Sequence, residues 1–303
     1  MRLAEEPGSS VSRGRRIAFT VVVAVFAVVT ALLTPLPFLV LGWFLEESGT
    51  VSHKVHEISF GALFALILVG LLAQLRGPER KLGPLAQVVV PLAVTIVVLV
   101  LIANESDPIL VVFAVFPLVI IALHPGRHYL LRPPTSLSPP MMILVLIAAI
   151  PMLIFAIQQL ETAYEAGRIA PEVFDALPES ASDEEFEAAI REGTSPATRQ
   201  AVQHYGHWSA MGAFSLSLLI LAVVAALRPP GWRIVAWSAG LGVMVYGLAS
   251  LLNPTDASAH GGPAAIAALV WGGALIVTAE REKRALPSGR TEAEVPSPSE
   301  PLR

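Results

Sequence analysis

Two similar stretches of sequence define the fold that we expect for this chain. The first reads HKVHEISFGA at residues 53–62, continues as an apolar run and ends in LRGP at 75–78. The second reads HYGHWSAMGA at residues 204–213, continues as an apolar run and ends in LRPP at 227–230. Each stretch therefore places two histidines, three residues apart, at the start of an apolar segment that is long enough to cross a membrane as a helix.

The composition is that of an integral membrane protein. The 303 residues are 54% hydrophobic and only 15% charged, with a mean hydropathy of +0.66, whereas soluble domains carry roughly 25% charged residues. The chain contains no cysteine, which excludes disulfides, thiolate ligands and iron–sulfur clusters. The scarcity of lysine beside arginine and alanine is typical of a GC-rich bacterial genome, and we expect a multi-pass protein of the cell membrane.

We expect an all-α fold with eight transmembrane helices, because a span needs about 20 apolar residues. The first span covers 17–45, which is too long for the apolar core of a cleaved signal peptide. Pro35 and Pro37 predict a kink within it. The other seven predicted spans are 56–75, 84–103, 108–124, 140–159, 207–227, 231–252 and 263–279.

The basic residues predict the orientation and the domain organisation. With the N-terminus in the cytoplasm, 16 of the 20 lysines and arginines lie on the cytoplasmic side, as the positive-inside rule requires. Both termini are then cytoplasmic. The predicted parts are a cytoplasmic segment (1–16), a first membrane unit (17–159), an acidic extracytoplasmic segment with short helices (160–206), the remaining spans (207–279) and a disordered cytoplasmic tail (280–303).

The sequence also predicts an internal duplication. His53 and His56 match His204 and His207 at a separation of 151 residues, and Asn104 and Asp107 match Asn253 and Asp256 at a separation of 149. If the repeat is real, the span at 140–159 begins the second copy, so that the two four-span units are 17–124 and 140–279. Units with an even number of spans point the same way and are related by a pseudo-two-fold axis along the membrane normal.

The segment Glu161–Gln203 is the long extracytoplasmic part of the chain and is strongly acidic. Ser182 and Glu185 form the sequence pattern of a capping box, which predicts the start of a short helix. The acidic run is typical of a solvated surface. The functional alternatives are a vestibule that attracts cations and a docking surface for an extracytoplasmic partner. The expected environment is the lipid bilayer, and no basic aromatic patch suggests nucleic acid.

The paired histidines are the candidate metal ligands. Residues three apart share one helix face, and the pseudo-two-fold axis brings the two pairs together at the extracytoplasmic boundary. Imidazole with carboxylate suits zinc, copper or iron, and a haem held by histidines of two facing helices is an alternative. The predicted ligands are His53, His56, His204 and His207, with Glu57, Asp256 and His260 as weaker candidates.

Other functions are compatible with the same sequence. Histidine has an apolar body and a polar tip, so the same residues would also suit a membrane interface without binding anything. No ionisable residue lies deep within a predicted span, which argues against a typical proton pump. The alternatives to a metal or haem protein are a carrier or channel for a small solute along the pseudo-two-fold axis, and a structural protein that binds a partner. No sequence motif identifies a catalytic residue.

Overall fold

The computed structural model describes residues 12–33, 36–44, 54–102, 109–127, 136–175, 205–256 and 258–285, together with Ser182, Glu185 and Ala188. Within these residues the chain contains no strand, and its long elements are all helices. They are α1 Arg13–Leu33, α2 Phe38–Leu41, α3 Lys54–Gln74, α4 Leu82–Leu101, α5 Ile109–Leu123, α6 Pro139–Asp175, α7 Tyr205–Ala226, α8 Trp232–Leu252 and α9 Gly262–Ala285.

Seven of the described helices are long and apolar enough to cross a membrane, namely α1, α3, α4, α6, α7, α8 and α9. This confirms the helical membrane-type architecture. The predicted span at 108–124 corresponds to α5, whose 15 residues extend for about 22 Å, less than the roughly 30 Å of a bilayer's hydrocarbon core. The count of eight spans therefore stays a prediction that depends on α5.

The first predicted span, 17–45, contains two described helices, α1 and α2. The sequence predicts one helix over 17–45, but α1 ends at Leu33 and the separate short helix α2 begins at Phe38. Proline lacks the amide hydrogen that an interior helix position donates, and its ring clashes with the preceding turn. Pro37 accordingly stands before α2 rather than inside it, and α2 packs against α3.

Helix α6 is longer than the predicted span at 140–159. Its 37 residues extend for about 55 Å, so the helix continues beyond the thickness of a bilayer core and includes the first part of the acidic segment. Further along, the predicted capping box is present. The backbone N–H of Glu185 donates to Ser182 Oγ at 3.3 Å, and the Ser182 N–H donates to the Glu185 carboxylate at 2.9 Å. This second hydrogen bond lowers the pKa of Glu185.

Four helices form the centre of the bundle. Helix α3 packs against α4 and α8, α7 packs against α8 and α4, and α3 and α7 also contact each other. The pair α1 and α5 lies against one side of this centre, and the pair α6 and α9 lies against the other. The outward faces are apolar, since Leu32, Leu101, Ile150 and Val270 are each about two-thirds exposed, so these faces contact lipid.

The two ends of the bundle differ in their polar contacts. We call the end that carries His56 and His207 the outer end and the opposite end the inner end, following the predicted orientation. At the inner end, the Arg15 guanidinium donates to the carbonyls of Ala122, Leu123 and His124 at the C-terminus of α5. Across the bundle, Glu282 of α9 pairs with Arg228 and accepts a hydrogen bond from the Ser138 hydroxyl. Polar contacts therefore join α1 to the end of α5 in the first predicted unit, and the start of α6 to α9 in the second.

Candidate metal centre

Helices α3 and α7 bring His56 and His207 into direct contact. The two imidazole rings lie face to face, with centroids 3.9 Å apart and planes 15° from parallel. His56 is only 3% exposed, and the Nδ1 atoms of both rings are shielded from solvent. The structure thus joins one histidine from each of the two HxxH segments.

Glu57 completes the cluster. Among the described residues, the ligand-capable atoms of His56, Glu57 and His207 all lie within 4.8 Å of one another. His56 and Glu57, which are adjacent on α3, therefore contribute two of the three groups, and His207 on α7 contributes the third. Two imidazoles and one carboxylate form a donor set that binds zinc in hydrolases and iron in non-haem oxygenases.

The observed geometry is close to that of a metal site but requires a rotation. Zinc lies 2.0–2.2 Å from nitrogen or oxygen ligands, so two ligand atoms of one ion are at most about 4.3 Å apart. The lone pair of an imidazole nitrogen lies in the ring plane. Because the rings of His56 and His207 are nearly parallel, their lone pairs converge on one ion only after one ring turns about its Cβ–Cγ bond.

The same contact distinguishes between an ion and a haem. In a haem with two histidine ligands, the porphyrin plane separates the two rings and the iron lies between their nitrogens. Rings whose centroids are 3.9 Å apart are already in van der Waals contact, which leaves no room for a porphyrin. The arrangement of His56 and His207 therefore fits a metal ion better than a haem.

Asp256 lies beside this cluster and holds the first turn of α3. Its Oδ2 accepts a hydrogen bond from the Val55 N–H at 3.1 Å, and its Oδ1 accepts one from the Ser258 N–H at 2.9 Å. The side chain is 5% exposed. A carboxylate at a helix N-terminus satisfies a backbone donor and interacts favourably with the helix dipole. We therefore assign Asp256 the role of fixing the helix turn that carries His56 and Glu57.

A second polar contact joins the two halves of the chain deeper in the bundle. The Gln87 amide on α4 donates to Leu66 O at 2.7 Å and to the Ser238 hydroxyl on α8 at 2.9 Å. Gln87 and Ser238 are 151 positions apart, as are His56 and His207. Sequence reasoning missed this pair, although the shared separation of 151 residues is a signal that could have found it.

The remaining histidines lie in different surroundings. His53 and His204, the other two predicted primary ligands, fall outside the described residues, as does Asp107. His260 lies between α8 and α9, with its ring 4.5 Å from that of Phe155 and 6.0 Å from that of Tyr246. Burial lowers the pKa of His260, and a backbone hydrogen bond at Ala259 opposes this shift.

His124 lies directly after α5, at the inner end of the bundle. It is fully buried, its Nδ1 accepts a hydrogen bond from the Gly126 N–H at 3.0 Å, and its Nε2 lies 3.3 Å from Gln74 Oε1. Since Nδ1 accepts, Nε2 carries the proton and donates to Gln74. Both ring nitrogens thus serve the structure of this loop.

Comparison with known protein families, with curated proteins and with solved structures finds no match to this chain.

Proposed function

We propose that this protein binds a transition-metal ion, with zinc, copper or iron as the candidates, at the extracytoplasmic end of the bundle. His56, His207 and Glu57 are the proposed ligands. The observation that supports this proposal is the cluster of their donor atoms within 4.8 Å. Three protein ligands leave a coordination position for water or a solute, so metal handling, redox work and metal-assisted hydrolysis are all compatible with the site.

We further propose that the site lies on the pseudo-two-fold axis of two parallel four-span units, 17–124 and 140–279. The pattern of helix contacts supports this duplication. If α1, α3, α4 and α5 correspond to α6, α7, α8 and α9, every contacting pair among the first four helices has its counterpart among the second four. Between the units, the contact of α3 with α8 likewise corresponds to that of α7 with α4.

Individual residues support the same symmetry. A pseudo-two-fold axis brings equivalent residues together where it passes between them. The pairs His56–His207 and Gln87–Ser238, each 151 positions apart, are both in contact. Gly61 and Gly212 are also 151 positions apart, and both pack closely against the preceding element. A Cβ at Gly61 would meet the backbone of Leu39 in α2, and a Cβ at Gly212 would meet the Leu160 side chain in α6.

Metal titration of the purified protein tests the proposed site. Co²⁺ replaces zinc in such sites and reports its coordination through visible absorption, so wild-type protein in nanodiscs should bind about one Co²⁺ per chain. His56→Ala, His207→Ala and Glu57→Gln should each weaken binding by at least about 100-fold, since even loss of an outer partner of a ligand costs 10–100-fold.

The matched control for this titration is His260→Ala. It removes a histidine from the same end of the bundle but from outside the cluster, and it should leave Co²⁺ binding unchanged. If the wild type binds no metal, or if all four variants bind as the wild type does, the proposed site is wrong.

A second candidate function, transport of a small solute along the axis, is favoured by polar atoms in the centre of the bundle. Among the described residues, Gln87 Oε1 and the hydroxyls of Ser59 and Ser217 are buried and make no hydrogen bond within the protein. An unsatisfied buried polar group costs about 1–3 kcal/mol, so water or a solute is expected at these atoms. Flux into liposomes that survives replacement of His56 and His207 would support transport over metal binding.

The third alternative, docking of a partner, concerns the acidic segment Glu161–Gln203, most of which lies outside the described residues. Deletion of residues 172–192 tests it. Loss of a bound partner, in a protein that shows neither metal binding nor flux, would favour this function over the other two.

A further inference from the structure

Two arginine side chains converge at the inner end of the bundle, away from the metal cluster. Arg15 of α1 donates through Nη2 to Ala122 O at 2.9 Å, and Arg127, which follows α5, donates through Nη1 to the same oxygen at 3.2 Å. Since both nitrogens contact one oxygen, they are at most about 6 Å apart. We call Arg15 and Arg127 the arginine pair.

Capping of α5 does not require both arginines. Arg15 alone donates to the carbonyls of Ala122, Leu123 and His124, and carbonyls at the end of a helix lack partners within it. Both guanidinium groups keep their positive charge at every physiological pH. The negative end of a helix dipole is equivalent to about half an elementary charge, so it offsets only part of the charge that the arginine pair brings together.

The surroundings of the arginine pair add further positive charge. Arg13 and Arg16 stand in the same turn of α1 as Arg15, and both are exposed. Glu79 lies beside this turn, and its carboxylate pairs with Arg16 at 3.2 Å. In the described part of the chain, neither member of the arginine pair forms an ion pair with a carboxylate. The cluster therefore has a surplus of positive charge, which attracts an anion.

Both members of the arginine pair keep N–H groups for such an anion. Arg15 uses Nε and Nη2 for the carbonyls at the end of α5, and Arg127 uses Nη1. Toward the described residues, Nη1 of Arg15 and both Nε and Nη2 of Arg127 make no hydrogen bond. The planar fork of a guanidinium group matches the oxygens of a phosphate and binds them with two parallel hydrogen bonds.

The arginine pair stands at the end of a lipid-facing stripe of α5. Four exposed residues at helical spacing form this stripe, namely Val111, Val115, Leu118 and Ala122. Residues three or four positions apart share one face of a helix, so the stripe leads along α5 to the carbonyl that both arginines contact. An acyl chain on the stripe therefore brings a phosphate at its end to the arginine pair, which favours a membrane lipid over a soluble anion.

We propose that the arginine pair binds the phosphate of an anionic phospholipid, whose acyl chain packs along the stripe on α5. The N–H groups that α5 does not use donate to the phosphate oxygens, so the lipid links the start of α1 to the end of α5. A zwitterionic headgroup carries a cationic amine, which Arg13 and Arg16 repel. The site therefore prefers an anionic headgroup such as phosphatidylglycerol to phosphatidylcholine.

Native mass spectrometry of the full-length protein tests this site. The protein is released from non-ionic detergent micelles that contain phosphatidylglycerol or phosphatidylcholine with the same acyl chains, and the apparent Kd is measured for each lipid. Wild type should bind phosphatidylglycerol more tightly. Arg127→Gln removes only one carbonyl contact and should weaken this binding about fivefold, the usual effect of one basic residue at an anionic membrane surface. Arg15→Gln/Arg127→Gln should weaken it about 25-fold.

The matched control is Arg281→Gln, which removes an exposed arginine from the inner end of α9, on the other side of the bundle, and should leave the Kd unchanged. Equal loss in Arg281→Gln and Arg127→Gln, or equal affinity for the two lipids, would overturn the proposal. Unchanged binding in Arg127→Gln would mean that the arginine pair only caps α5. Displacement of the lipid by excess inorganic phosphate would identify a site for a soluble anion and overturn the lipid assignment.

Discussion

Replacement of Asp256 by alanine should destabilise the protein by about 2–6 kcal/mol. The carboxylate is buried and accepts hydrogen bonds from the backbone N–H groups of Val55 and Ser258. Alanine leaves both donors without their partner, and each buried donor that is left unsatisfied costs about 1–3 kcal/mol. Asp256→Asn keeps one acceptor oxygen and should cost about half as much.

Unfolding in mixed micelles of detergent and SDS, followed by circular dichroism, measures these free energies. Glu165→Ala, which removes an exposed carboxylate from α6, is the control and should stay within about 0.5 kcal/mol of wild type. Because the turn that Asp256 holds also carries His56 and Glu57, Asp256→Ala should in addition weaken Co²⁺ binding. If Asp256→Ala unfolds within about 0.5 kcal/mol of wild type, the assigned role of this carboxylate is wrong.

Three further changes test other contacts. Gly61→Ala should destabilise the protein by about 1–3 kcal/mol, because the new Cβ meets the α2 backbone. Gly212→Ala should be neutral or slightly stabilising, because its Cβ meets only a flexible leucine and alanine has the higher helix propensity. Equal unfolding free energies for the two variants would contradict this packing. Glu282→Gln should cost about 1–3 kcal/mol in the same assay, since it breaks the shielded pair with Arg228, and an unchanged midpoint would show that the pair contributes nothing. Burial lowers the pKa of His260 in the folded protein. As the pH falls below about 6.5, the imidazole is therefore protonated in the unfolded chain before it is protonated in the folded protein, which destabilises the fold. The apparent Tm should drop from pH 7 toward about pH 5 more steeply in wild type than in His260→Phe, and parallel curves would refute the assignment.

The helical architecture could be predicted from the sequence because long apolar runs leave few alternatives in a bilayer. Spans such as α3 and α8 begin within a few residues of their predicted limits. At two places the observed helix limits differ from the limits of the predicted spans. The first predicted span contains two described helices, α1 and α2, and α6 continues as a helix past residue 160 because nothing in its sequence breaks the backbone there.

The candidate site could be predicted only in part. The repeat at 151 residues indicated that His56 and His207 face each other, and Glu57 adjoins them in sequence. Charge and residue type alone do not separate a ligand from a helix cap, so the sequence places Asp256 among the weaker candidate ligands, whereas in the structure its oxygens accept hydrogen bonds from backbone donors. The position of His260 between α8 and α9, beside Phe155, depends on how the helices pack, which no single stretch of sequence encodes.

The contact between His56 and His207 is the central feature of the proposed metal site. Because the chain has no cysteine, the double variant His56→Cys/His207→Cys introduces the only two thiols. We expect dibromobimane, which fluoresces when it bridges two nearby thiols, to label this variant strongly, and the pair His56→Cys/His124→Cys, at opposite ends of the bundle, to stay dark. Efficient labelling of each single cysteine by a maleimide, without bridging in the 56/207 variant, would contradict the proposed meeting of the two HxxH segments and the metal site built on it.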